Sequence, residues 1–94
     1  LLSTLELEEI AKYTGYTEYY LTRKFKKEMG ITLTDYVNKR RVEQAVFYLN
    51  TTDMQIQTIA SYCGIQDINY FTRIFKKFIG MTPSKFREQI SRHH

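Results

Sequence analysis

Residues 21–36 read LTRKFKKEMGITLTDY, and residues 71–86 read FTRIFKKFIGMTPSKF. Superposed, the two stretches share Thr22/Thr72, Arg23/Arg73, Phe25/Phe75, Lys26/Lys76, Lys27/Lys77, Gly30/Gly80 and Thr32/Thr82, seven identities in sixteen positions. Just upstream, Ile10-Ala11-x-Tyr13-x-Gly15 recurs as Ile59-Ala60-x-Tyr62-x-Gly64 at an offset of 49. A period near 50 makes the chain two copies of one supersecondary device, so its function lies in the residues both copies keep.

Outward from the repeat, the chain reads as helix. One proline and four glycines in 94 residues, with abundant Lys, Glu, Leu and Tyr, disfavour strands. Ser3 or Thr4 can cap a short helix through LELEEIAKYT, with Leu7, Ile10 and Ala11 on one face and Gly15 at its end. Thr17 caps a second helix from Glu18 to about Met29, stopped by Gly30. Thr32 or Thr34 opens a long helix to about Leu49, with Val37, Ala45, Tyr48 and Leu49 apolar. After the polar break Asn50-Thr51-Thr52-Asp53, a short helix runs from Gln55 to Cys63 and ends at Gly64. Asp67 caps the next, to about Ile79. Gly80 stops it, and Pro83 opens a last helix to about Ile90. The expected fold is all-α: two helix-turn-helix lobes, residues 1–33 and 51–92, joined by a long linker helix over 34–50. His93-His94 reads as a tag remnant, and a start at Leu1 rather than Met reads as a piece of a longer protein.

The net charge is +4, and its placement says more than its size. Residues 21–41 hold seven Lys/Arg against two acids, residues 73–87 hold five against none, and no basic residue falls between Val42 and Thr72. Charge arrives in two blocks, one per copy, as two anion-facing surfaces require. Cys63 is the sole cysteine, so no disulfide framework exists and a reducing, cytoplasmic location is expected. The residues show no signal peptide, membrane span or membrane partner, and no cofactor is expected.

In each copy a small residue (Ala11, Ala60) permits close helix crossing, and a glycine four residues on supplies the turn. At 100° per residue with Tyr19 at zero, the anchors Leu21 and Phe25 sit near roughly 200–240°. Thr22, Arg23 and Lys26 share an outward arc with Tyr19. The second copy repeats this, with Phe71 and Phe75 inward and Asn69, Thr72, Arg73 and Lys76 outward. Lys24 and its counterpart Ile74 fall at the boundary, and Tyr13, Tyr36, Tyr48 and Tyr62 read as packing residues. A guanidinium can grip guanine O6 and N7 in two hydrogen bonds, while ammonium groups suit phosphates. A linker of about 17 residues spans roughly 25 Å, which suits two reading helices in neighbouring major-groove segments about 34 Å apart. Head-to-tail copies with unlike faces, Tyr19 against Ile68 and Asn69, imply a direct pair of unlike half-sites.

The run GIQDINYFTRIFKKFIGMTPSKFR, residues 64–87, resembles the signature of the AraC/XylS family of bacterial transcription regulators. Residues 21–30 resemble that family's first helix-turn-helix, and Arg41-Val42-x-x-Ala45-x-x-Tyr48-Leu49 its linker helix. The resemblance implies base contacts at Tyr19, Thr22 and Arg23 in one helix and at Ile68, Asn69, Thr72 and Arg73 in the other. It implies phosphate contacts at Lys26, Lys76 and the helix starts Thr32 and Thr82. It also implies a preceding helix of which only Leu1-Leu2 remain, a sensor or receiver domain upstream, activation of transcription, and RNA polymerase as a second partner. The chain departs from the family at Ile65, where an aromatic is usual, and at Gln55, where a capping Ser is common.

Phe25, Phe75, Leu21 and Phe71 are read as core, Arg41 as a structural ion-pair partner in the linker helix, and Cys63 as a small buried residue. A helical protein-interaction module predicts exposed apolar residues on the second helices, where Arg, Thr, Asn and Lys stand instead. An enzyme needs a catalytic constellation, and the sequence offers no internal histidine, no carboxylate pair at catalytic spacing, no phosphate loop and no metal-ligand cluster.

Overall fold

The computed structural model describes residues 8, 12, 15 and 17–92. Leu7, Ile10, Ala11 and Tyr13 of the short first helix, and His93-His94, lie outside the described residues. Every element among the described residues is helical: α1 Glu18–Met29, α2 Leu33–Thr51, α3 Ile56–Tyr62, α4 Ile68–Ile79 and α5 Pro83–Arg92. The chain divides into two compact units, residues 1–38 and 39–94, with the division falling inside α2.

In the first unit, α1 starts where the Thr17 hydroxyl accepts the Tyr20 N–H at 3.1 Å. It ends at Gly30, whose N–H donates to Lys26 O at 2.9 Å in the left-handed closure that a Cβ would oppose. Thr32, rather than Thr34, caps α2: its hydroxyl accepts the Asp35 N–H at 3.0 Å. Leu33 and Val37 are buried. Leu21 and Phe25, expected in the core, are only half-buried, and α1 buries no residue fully. Among the described residues, Phe25 meets the Tyr36 ring edge-on at 5.4 Å and 64°.

The second unit carries the main core. Val42, Ala45 and Leu49 of α2 meet Ile59 and Ala60 of α3, Cys63 and Ile65 of the turn, and Phe71, Ile74 and Phe75 of α4. Phe75 lies between the rings of Phe71 at 5.9 Å and Phe86 at 5.8 Å. Because α4 packs on both α3 and α5, its buried arc is wide enough to take Ile74, which is core and not a boundary residue. Its counterpart Lys24 is exposed and pairs with Glu28 at 3.9 Å. Arg87 of α5 donates to the Met54 and Thr52 carbonyls, closing the α2–α3 loop.

The turn between α3 and α4 is a Schellman closure, with Ile65 N–H donating to Ala60 O at 2.9 Å and Gly64 N–H to Ser61 O at 3.0 Å. Gly64 has φ +87°, and a Cβ there would stand 3.6 Å from the Arg41 guanidinium. Arg41 thus leans on the bare backbone of the turn. It makes no ion pair among the described residues, which corrects the expectation of a linker-helix ion pair. Ile65 is buried in place of the family's aromatic. Gln55 gives α3 no side-chain cap, while Asp67 caps α4 through the Asn69 and Tyr70 N–H groups. Tyr62, read as packing, meets the Tyr48 ring at 6.1 Å but stays 66% exposed: Ile59 and Ala60 form the inward face of α3, and the helical period turns residue 62 to its edge.

Burial pushes the Cys63 thiol up to about 11, with the Arg41 charge pulling weakly the other way. The folded state holds that proton where the unfolded chain, with an ordinary thiol near 9.0, releases it, so this group's contribution to stability is lost as pH rises from 9 to 11. Alkylation of Cys63 at pH 8 is expected to run about 100-fold slower in the folded chain than in denaturant, from thiolate population alone. Equal rates would show an open thiol.

Candidate nucleic-acid interface

On α4, Phe71, Ile74 and Phe75 face the core, which leaves Asn69, Arg73 and Lys76 exposed and Thr72 half-buried on the other side. The N-terminal end of this face is fixed by the Asp67 carboxylate, which accepts the Asn69 N–H at 2.9 Å and the Tyr70 N–H at 3.3 Å. Ile68, at the first turn, is half-buried and packs against the core, so it offers a groove only the remainder of its side chain.

On α1, Tyr19 is 71% exposed, Arg23 and Lys26 are exposed, and Thr22 is half-buried. The Thr22 hydroxyl donates to Glu18 O at 2.8 Å. Its proton is held by its own helix, and what it can turn outward is its methyl group, suited to the thymine methyl. A shallow depression on α1 is lined by Tyr19, Tyr20, Arg23, Lys24, Lys26, Lys27 and Glu28, a surface of aromatic rings and mostly cationic groups with one carboxylate.

Each arginine lies over a tyrosine ring. Arg23 Cζ is 5.5 Å from the Tyr19 centroid, and Arg73 Cζ is 5.5 Å from the Tyr70 centroid. Tyr70 was not singled out in the sequence, although its spacing of three residues before Arg73 is the signal that finds it. At the helix starts, the Thr32 hydroxyl accepts the Asp35 N–H at 3.0 Å and the Thr82 hydroxyl accepts the Lys85 N–H at 3.2 Å. Each oxygen is engaged as an acceptor, and its own proton is a donor suited to a phosphate oxygen.

A glycine-turned helix pair whose second helix shows arginine and lysine outward and phenylalanine inward defines a helix-turn-helix, the class that sets a helix in the major groove. Comparison with known proteins agrees. The pattern of the family described as a helix-turn-helix domain matches residues 10–89. The probable transcription factor PqrA of Proteus vulgaris is 44% identical over 84 residues, covering 89% of this chain and 69% of that protein. The transcriptional activator AarP of Providencia stuartii is 36% identical over 87 residues, covering 93% and 64%. The chain thus spans about two thirds of the length of these relatives. The C-terminal domain of the two-component response regulator yesN from Fusobacterium nucleatum matches with a TM-score of 0.77 at 36% identity, covering 86% of this chain and 79% of that one. The chain belongs to the AraC/XylS family of helix-turn-helix transcription regulators. It is a DNA-binding, transcription-regulating domain.

Proposed function

We propose that the chain reads double-stranded DNA with α1 and α4, each laid in a major-groove segment, the two segments following one another along the duplex. Base edges are contacted by Tyr19, Thr22 and Arg23 from α1 and by Asn69, Thr72, Arg73 and the exposed part of Ile68 from α4. Lys26, Lys76 and the hydroxyls of Thr32 and Thr82 hold phosphates. The observation that carries this reading is the outward Thr-Arg-x-x-Lys face, its arginine and lysine exposed on both helices and backed in α4 by fully buried phenylalanines.

The division of labour follows from chemistry. Arginine's planar fork matches two acceptors on one base, so it discriminates sequence. Lysine is a mobile point charge, and its contact with phosphate adds affinity without sequence information. Neutralising each of Lys26 and Lys76 with Gln is expected to reduce the slope of log K against log salt by about 0.9 per lysine. An unchanged slope, measured by fluorescence anisotropy between 50 and 200 mM salt, would place both ammonium groups away from phosphate.

Selection of bound duplexes from a random pool tests the whole reading. Enrichment of two unlike half-sites in direct order is the expected result, because the copies follow head to tail and their faces differ at Tyr19 and Asn69. A pool that shows no enrichment rejects it. The full-length protein carries a sensor or receiver domain beyond this chain, acts in the cytoplasm, contacts RNA polymerase and performs no catalysis. No helix among the described residues is long and apolar enough to cross a membrane. The matched response-regulator domain is the C-terminal part of its protein, which supports an upstream signalling domain.

A further inference from the structure

The two copies keep the same Thr-Arg pair but rest the arginine on different rings. Arg23 lies over Tyr19, four residues before it, and Arg73 lies over Tyr70, three residues before it. In the repeat, Tyr19 corresponds to Asn69 and Tyr70 to Tyr20, so the first copy holds tyrosine at both positions and the second at only one. Arg23 rests on the exposed ring that the second copy lacks.

The spacing sets the direction in which each guanidinium leans. A helical arginine points back toward the N-terminus, over the residues three and four before it. At 100° per residue, a ring four back lies about 40° to one side of the arginine, and a ring three back about 60° to the other. A guanidinium held between its own position and its ring is therefore displaced by about 50° between the copies. On a helix surface about 6 Å from the axis this is roughly 5 Å, between one and two base-pair steps of about 3.4 Å. Cation–π attraction to the ring face favours that direction before DNA arrives.

We infer that the aromatic beneath each arginine, Tyr19 in the first copy and Tyr70 in the second, sets which base pair that arginine reads, so that one Thr-Arg pair addresses non-equivalent positions in the two half-sites. This rests on the proposal that Arg23 and Arg73 contact bases. Tyr19 and Tyr70 act here as positioning residues, a role separate from any contact of their own.

Duplex selection with four variants of the chain tests it. Arg23→Ala marks the base pair that Arg23 reads, as the position whose preference disappears. Tyr19→Asn gives the first copy the second copy's pattern and passes Arg23 to Tyr20. The marked preference is expected to move by one or two base pairs, with discrimination at the original pair falling about tenfold. Tyr19→Phe keeps the ring, so the preference that Arg23→Ala erases is expected to stay at its original base pair, whatever loss of the hydroxyl changes at other positions. The double variant Tyr19→Asn/Arg23→Ala is expected to lose the moved preference, which ties it to Arg23 and not to a lost Tyr19 contact. Tyr19 is 71% exposed, so Tyr19→Asn leaves packing intact, and an unchanged thermal unfolding midpoint checks this. If Arg23→Ala erases a preference that Tyr19→Asn leaves in place, the inference fails and the base-contact reading survives. If Arg23→Ala erases nothing, both fall.

Discussion

Phe75→Ala is expected to lower the unfolding free energy of the unit formed by residues 39–94 by about 3–5 kcal/mol. The ring has no solvent exposure and sits between Phe71 and Phe86, at 5.9 and 5.8 Å, in the core that Val42, Ala45 and Ile59 complete. Removing it takes away the transfer free energy of the ring and leaves a cavity that rigid helices on both sides close only in part. Against a net stability of about 5–15 kcal/mol for a typical domain, that loss removes from about a fifth to all of the margin. The identical substitution in the first copy should cost less. Phe25 is less buried and has Tyr36 alone as a ring partner among the described residues, so Phe25→Ala removes less buried area and should cost less. Urea unfolding followed by circular dichroism compares the two. A larger loss at Phe25 than at Phe75 would overturn this ranking. Since α4 is held by Phe75, DNA affinity should fall in step with the folded fraction, with base preference unchanged in the molecules that remain folded.

Sequence made the helix ends legible because each is decided locally. Thr17, Thr32 and Asp67 offer an oxygen to orphan N–H groups a few residues on, and Gly30, Gly64 and Gly80 allow the left-handed closure, so the elements begin and end where these residues stand. The outward arc of Asn69, Arg73 and Lys76 was legible from helical period alone, because Phe71 and Phe75 fix the opposite side. What period cannot give is the width of the buried arc. Ile74 and Lys24 hold the same place on their wheels, yet Ile74 is buried because α3 and α5 both cover α4, while Lys24 stays in solvent. The apolar residue at that place in one copy was itself the clue. Tyr62 is a boundary residue for a related reason: it packs on the Tyr48 ring yet stays mostly exposed, as large apolar side chains often do. Arg41 was out of reach, since a long side chain's partner depends on which turn folds against it, here the backbone at Gly64. The rings beneath Arg23 and Arg73 lie between these cases: both stand at helical spacing, but the sequence reading takes Tyr19 as a base contact and passes over Tyr70.

Replacing Arg73 with Ala is expected to cost about 1–3 kcal/mol on the preferred duplex and almost nothing on duplexes altered at the base pair it reads, which flattens preference at that one position. The side chain is exposed and packs on Tyr70 alone among the described rings, so its loss should leave the fold intact. Alanine by itself does not separate the guanidinium's charge from its shape. Arg73→Lys does, because an ammonium keeps the charge and loses the planar fork. If Arg73 grips a base edge, Lys at this position retains the salt slope of the parent while base discrimination collapses nearly as far as with Ala. If Arg73 touches phosphate only, Lys restores most of the affinity on every duplex and Ala weakens all of them equally, with the slope falling by about 0.9. Titrations of the three proteins on the selected duplex and its single-base variants, at two salt concentrations, distinguish these outcomes. The same comparison at Lys76 should give the phosphate pattern, because the repeat places a lysine there in both copies, with no fixed plane to match a base.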